Sequence, residues 1–91
     1  MADPVVLNPK LDLAAAADLM ETMRGRKEEE VVLDFSQVTH FGALCLQVLV
    51  AAATSAKSEG RRLTFLNISD RVVDQLRVMG MTPELITRGR E

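Results

Sequence analysis

Residues 31–67 read VVLDFSQVTHFGALCLQVLVAAATSAKSEGRRLTFLN, and their pattern changes period twice. Val31-Val32-Leu33-Asp34-Phe35 is β-branched and almost continuously apolar, as in a central parallel strand covered on both faces. From Ala43 to Glu59 the period becomes helical: Leu46, Leu49, Val50 and Ala53 fall at i, i+3, i+4 and i+7. Gly60 ends the helix. Arg61 to Asn67 returns to strand, with Leu63, Phe65 and Leu66 as its buried members. Strand, helix, strand is a βαβ unit. Its crossover is right-handed in about 98% of cases and makes the two strands parallel neighbours or near-neighbours. Leu33 and Leu49, each in the middle of an apolar element, are expected to be fully buried.

Outward from this unit, Val5-Val6-Leu7 is a short strand closed by Asn8-Pro9. Asp12 can cap a helix that begins at Leu13, with Ala16, Leu19, Met20 and Met23 as its apolar face. Gly25 is placed to end it through a left-handed turn. Ser36 to Thr39 is a connecting loop. Ser69 or Asp70 caps a third helix, whose apolar face is Val72, Val73, Leu76 and Met79 and which stops at Gly80. Thr82-Pro83 opens a short last helix through Ile86. The tail from Thr87 to Glu91 should fray. The expected fold is α/β: one domain over residues 1–91, with a three- to four-stranded, mostly parallel or mixed sheet packed against helices.

Composition narrows the function. The chain has 91 residues, 47% hydrophobic and only 3% aromatic, with no Trp and no Tyr. A domain this small buries roughly 60–65% of its unfolded surface, which leaves little room for a deep walled pocket. The net charge is −2, and the densest basic run, Arg24 to Lys27, is followed at once by Glu28-Glu29-Glu30. Opposite runs this close cancel within a Debye length of about 8–10 Å, so no nucleic-acid partner is expected. One Cys and one His cannot build a tetrahedral metal site. No glycine-rich phosphate loop occurs. Neither a cofactor nor a metal is expected. The start lacks the pattern of a signal peptide, and no apolar run is long enough to enter a membrane, so the cytoplasm is the expected compartment.

One relay can be drawn, Cys45–His40–Asp34, but Cys45 lies among Leu44, Leu46 and Val48, where a free Cys acts as a small hydrophobe. A helix N-terminus beside it would lower its pKa and make it oxidisable, not catalytic. No catalytic residue is expected. The helix from Ala43 carries a different signal. With Leu46, Leu49, Val50 and Ala53 turned to the core, its outer side presents Leu44, Gln47, Val48 and Ala51. Three of these four are apolar, and an exposed apolar cluster marks an interaction site unless loops cover it. The five Met residues read as core filling, although a Met at an exposed edge would suit an adaptable binding surface.

The segment from Val31 to Met81 resembles the STAS domain, the fold of bacterial anti-sigma-factor antagonists. The resemblance rests on Leu33-Asp34 closing a strand, Val38 in the loop after it, the Gly60 turn, the strand ending at Asn67, and the step Leu76-Arg77-Val78-Met79-Gly80. It implies a non-catalytic module that binds a protein partner through the helix beginning at Ala43 and the loop before it. The partner-binding residues are then Phe41, Gly42 and Ala43 together with Leu44, Gln47, Val48 and Ala51. The antagonists carry an Asp-Ser pair whose Ser is phosphorylated; here the pair falls on Gly42 and Ala43, and no acceptor hydroxyl is present. The resemblance also implies a second strand before the first helix, which is not evident in this chain. Phe41 to Leu49 looks most like the stand-alone STAS proteins of alphaproteobacterial chemotaxis clusters. MlaB-like subunits, which bind the ATPase of a lipid transporter, come next. The implied partner is a chemotaxis or kinase-type signalling protein or, alternatively, such an ATPase. The oligomeric state is left open.

Overall fold

The computed structural model describes residues 3–26 and 28–88. A central strand, β3 (Glu30–Asp34), lies between β1 (Val5–Val6) and β5 (Arg62–Leu66), and both pairings are parallel. The βαβ crossover runs through α2 (Ala43–Ser58), which packs on β5. Register places Val5, Leu33 and Phe65 in one row and Val31 beside Leu63. These residues form the core face. Leu33 and Leu49 are completely buried, joined by Phe35, Leu76, Val72 and Ile86.

The other face of the sheet is open, against the expectation that β3 is covered on both sides. Val6, Asp34 and Leu66 share a row there, with Val6 56% and Leu66 40% exposed. Leu66 is therefore not a buried member of its strand, and Phe65 is only half-buried. With three strands in this sheet and four helices among the described residues, the chain covers one face and leaves the second to water and cross-strand pairs. Thr64 Oγ1 donates to Glu30 at 2.9 Å, and Arg62 lies 3.9 Å from the same carboxylate.

The caps follow the sequence closely. Asp12 accepts a hydrogen bond from the Ala15 amide and starts α1 (Leu13–Gly25). Ser69 accepts from Val72 N and starts α3 (Asp70–Val78). Thr82 accepts from Leu85 N at the head of α4 (Pro83–Arg88). Gly60 and Gly80 end their helices at φ +73° and +77°, where a side chain would be strained. Gly25 does not: it is the last residue of α1, without positive φ, and the chain leaves through extended Arg26. On α1 the buried residues are Ala15 and Leu19, with Ala16 and Met23 half-buried, while Met20 faces solvent at 41% exposure. Helix α4 runs to Arg88, further than Ile86; the expected frayed tail begins inside this helix, and its residues 89–91 lie outside the described residues, as do Met1, Ala2 and Lys27.

A second small sheet was not expected. β2 (Lys10–Leu11) pairs in parallel with β4 (His40–Phe41). β2 supplies the second strand ahead of the first helix that the sequence did not make evident. Two residues are too short for any periodicity to mark them.

Candidate protein-docking surface

The loop between β3 and β4 is held at both ends. Asp34 Oδ1 accepts the Ser36 amide at 2.8 Å and Asn67 Nδ2 at 3.2 Å. The Ser36 amide, followed by Asn67, holds this carboxyl below its ordinary range. Asn67 itself sits at φ +57°, a conformation that Asn tolerates better than most residues. Val38 is buried and donates its amide to Phe35 O at 3.0 Å. At the far end Gln75 of α3 makes a two-point clamp: its Oε1 accepts the Phe41 amide at 2.6 Å, and its Nε2 donates to Thr39 O at 3.1 Å. No sequence signal connects positions this far apart.

This loop delivers the chain to α2. Gly42 is its N-cap in extended backbone, donating its own amide to Leu11 O at 2.8 Å and offering no side-chain cap. A Cβ at Gly42 would stand 3.0 Å from Leu11 O, a tight contact that β2 would have to yield to by a few tenths of an ångström. The first turn of α2 carries no acidic residue. Its leading amides therefore keep the positive end of the helix dipole uncompensated by any side chain of that turn.

Of the residues expected to meet a partner, Ala43, Leu44, Gln47 and Ala51 are exposed, Leu44 at 45%. Gly42 is half-buried. Phe41 is 2% exposed and stacks on Phe35 with ring centroids 5.9 Å apart, which places it beneath this surface. Val48 is half-buried and packs against the core, because it sits at the boundary between the inner and outer sides of α2. A charge at Val48 would disturb folding as well as binding, so Leu44 is the cleaner probe. Leu13, the first residue of α1, is 74% exposed and was missed. The signal was present: seven residues separate Leu13 from Met20, two helical turns on one face.

Cys45, His40 and Asp34 are not assembled into a relay. Cys45 is fully buried and its thiol donates to Asp12 O at 3.4 Å. Burial, and then the negative charge of Asp12, pushes its pKa up from 9.0, so the expected lowering by the helix end is reversed. His40 is exposed on β4, and Asp34 is engaged by Ser36 and Asn67. Among the described residues no group of His, Cys, Asp and Glu could hold a metal ion, and no helix is long and apolar enough to cross a membrane.

Comparison with known proteins gives two findings. A family model described as "Mlab, STAS domain" matches residues 2–87. The crystal structure of a sulfate transporter family protein from Wolinella succinogenes superposes with a TM-score of 0.76 at 20% identity, covering 91% of this chain and 70% of that one. At that identity the likeness is one of fold. No protein of curated function matches the chain.

Proposed function

Because this chain belongs to the MlaB-type STAS domain family, we propose that it is a signalling module that docks on a partner protein through the exposed start of α2. STAS domains are non-enzymatic interaction modules, which agrees with a chain whose reactive side chains are dispersed. The observation that carries the reading is Leu44: a large apolar side chain, 45% exposed, on the first turn of a helix that no side chain caps. Burying such a side chain against a partner stabilises the complex by roughly 1.5–3 kcal/mol, and a partner carboxylate would meet the free helix end.

Control by phosphorylation is absent from this reading. The position that carries the acceptor Ser in anti-sigma-factor antagonists is Ala43 here. Binding then follows concentration or the state of the partner. A second reading rests on the family description itself, which names the MlaB type: the chain would be a fixed subunit on the ATPase of a lipid transporter. In either case the compartment is the cytoplasm.

The test uses the wild-type chain and Leu44→Glu as baits in the source organism, with captured proteins identified by mass spectrometry. A kinase-type or chemotaxis protein lost from the Leu44→Glu bait supports the first reading, and a transporter ATPase lost from it supports the second. Equal capture by both baits would refute docking through α2. Incubation with a captured kinase and labelled ATP should leave the chain unlabelled; phosphate at Ser36 or Thr39 would show a switch that has moved.

A further inference from the structure

The three-stranded sheet has two edges of unlike kind. β1 is two residues long and lies between Pro4 and Pro9, so it offers almost no ladder to a further strand. β5 is five residues, Arg62-Leu63-Thr64-Phe65-Leu66, with one charge at its first position and no proline. Its register with β3 sets which backbone groups are used. The Arg62 amide donates to Glu29 O at 2.7 Å, and Leu66 O accepts the Phe35 amide at 2.9 Å. Arg62, Thr64 and Leu66 therefore turn their amides and carbonyls to β3, while Leu63 and Phe65 turn theirs outward. Among the described residues no hydrogen bond reaches those two amides and two carbonyls. A cleft of about 440 Å³ runs along this edge, lined in part by Phe65, Ile68, Val73 of α3 and Pro83 of α4.

We propose that β5 pairs antiparallel with β5 of a second copy of this chain, about a two-fold axis at Thr64, to make one continuous six-stranded sheet. The unpaired backbone groups select a strand as occupant, because extended backbone offers donors and acceptors at the matching spacing. The order of residues in β5 selects its own copy. With Thr64 facing Thr64, Leu63 faces Phe65 of the second copy and Phe65 faces its Leu63. Each of these two pairs exchanges both N–H···O bonds, so every outward group of both strands is used.

The neighbouring registers are poorer. An axis at Leu63 would set Phe65 against Arg61, whose amide is already donated to Ala56 O at 2.7 Å. An axis at Phe65 would set Leu63 against Asn67, which leaves the strand at φ +57°. With the axis at Thr64 no like charges face each other: Arg62 meets Leu66 and keeps Glu30 of its own sheet at 3.9 Å. Thr opposite Thr is a favourable cross-strand pair, and the half-buried Phe65 gains an apolar neighbour. A two-fold contact also closes on itself, whereas β5 against β1 of the next copy would run head to tail on only two residues. No residue of β5 belongs to the docking surface on α2, so either surface can fail without the other.

Light scattering on the wild-type chain should show a dimer that dissociates on dilution, and a chain still monomeric at about 1 mM would overturn the proposal. Disulfide trapping reads the register. Thr64 with Thr64, and Arg62 with Leu66, are pairs without mutual hydrogen bonds. Their Cα atoms stand about 4.5 Å apart, inside the roughly 4.4–6.8 Å that a disulfide spans. Thr64→Cys should therefore crosslink to itself under copper-phenanthroline oxidation. Arg62→Cys and Leu66→Cys should each stay uncrosslinked alone and crosslink to one another when mixed. Cys45 is fully buried and takes no part. The mixture reads the same register should the Thr64→Cys chain fail to fold. A wild-type dimer in which neither arm crosslinks would lie on another surface and overturn the proposal, as would Arg62→Cys crosslinking to itself.

Discussion

α1 and α2 start in the same way and end up with different roles. Each follows a two-residue strand and one cap residue, and the two strands pair in register. At α1 the cap is Asp12, whose carboxylate holds the Ala15 amide at 3.2 Å. At α2 the cap is Gly42, which has no side chain, and a Cβ there would lie 3.0 Å from Leu11 O, close enough that β2 would have to give by a few tenths of an ångström. The equivalent third helical residues differ too: Ala15 receives the cap, and Cys45 turns its thiol to Asp12 O. One helix end is thus closed by a side chain and the other is not. A stabilised end and an available end stand side by side.

The largest effect should come from the shared footing of both helices. Phe41→Ala should cost about 3–5 kcal/mol and Leu11→Ala about 2–5 kcal/mol by denaturant titration, as expected for buried positions. A small loss at either would mean that β2 and β4 do not anchor the helix starts. Gly42→Ala comes next. If close packing excludes a side chain, the variant should lose about 1–3 kcal/mol, the usual cost of overpacking, and an unchanged melt would show that the cap difference is not enforced by β2. Asp12→Ala should cost about 1 kcal/mol through loss of the cap. It should also lower the Cys45 pKa, because one of the two influences raising it is removed. Thiol titration with a slow alkylating reagent reads this, and a Cys45 pKa unmoved by the substitution would argue against the Asp12 contribution.

The smallest effect concerns pH at the loop that feeds α2. Asp34 is held below its ordinary 3.8 when folded. Its stabilisation is therefore complete above that value and is lost as pH falls through the lower, folded pKa. Asp34→Asn should flatten the acid limb of the stability curve below pH 3.8, and an identical acid limb in both proteins would contradict the role given to the Ser36 amide.

The same contrast explains what could be read from the chain alone. β3, α2 and β5 were legible because each is long enough to show a period and is bounded by a residue with one conformational meaning, such as Gly60. Asp12 and Ser69 declared their caps for the same reason. β2 and β4 were not legible, since two residues carry no period, and with them went the knowledge that α1 and α2 stand together. Phe41 and Val48 were misplaced on the surface for that reason. Phe41 is buried by the unseen second sheet, and Val48 borders a groove beside α1. The Gln75 clamp joins positions with no shared local pattern, so only the fold reveals it.

Leu44→Glu tests the central claim most directly, because Leu44 belongs to the open helix end and, unlike Val48, is not packed in the core. Partner binding by the purified variant should be measured beside its thermal melt. The account predicts binding lost, with stability within about 0.5 kcal/mol of wild type, as for a surface change. Binding retained at wild-type affinity by a folded Leu44→Glu chain would contradict it.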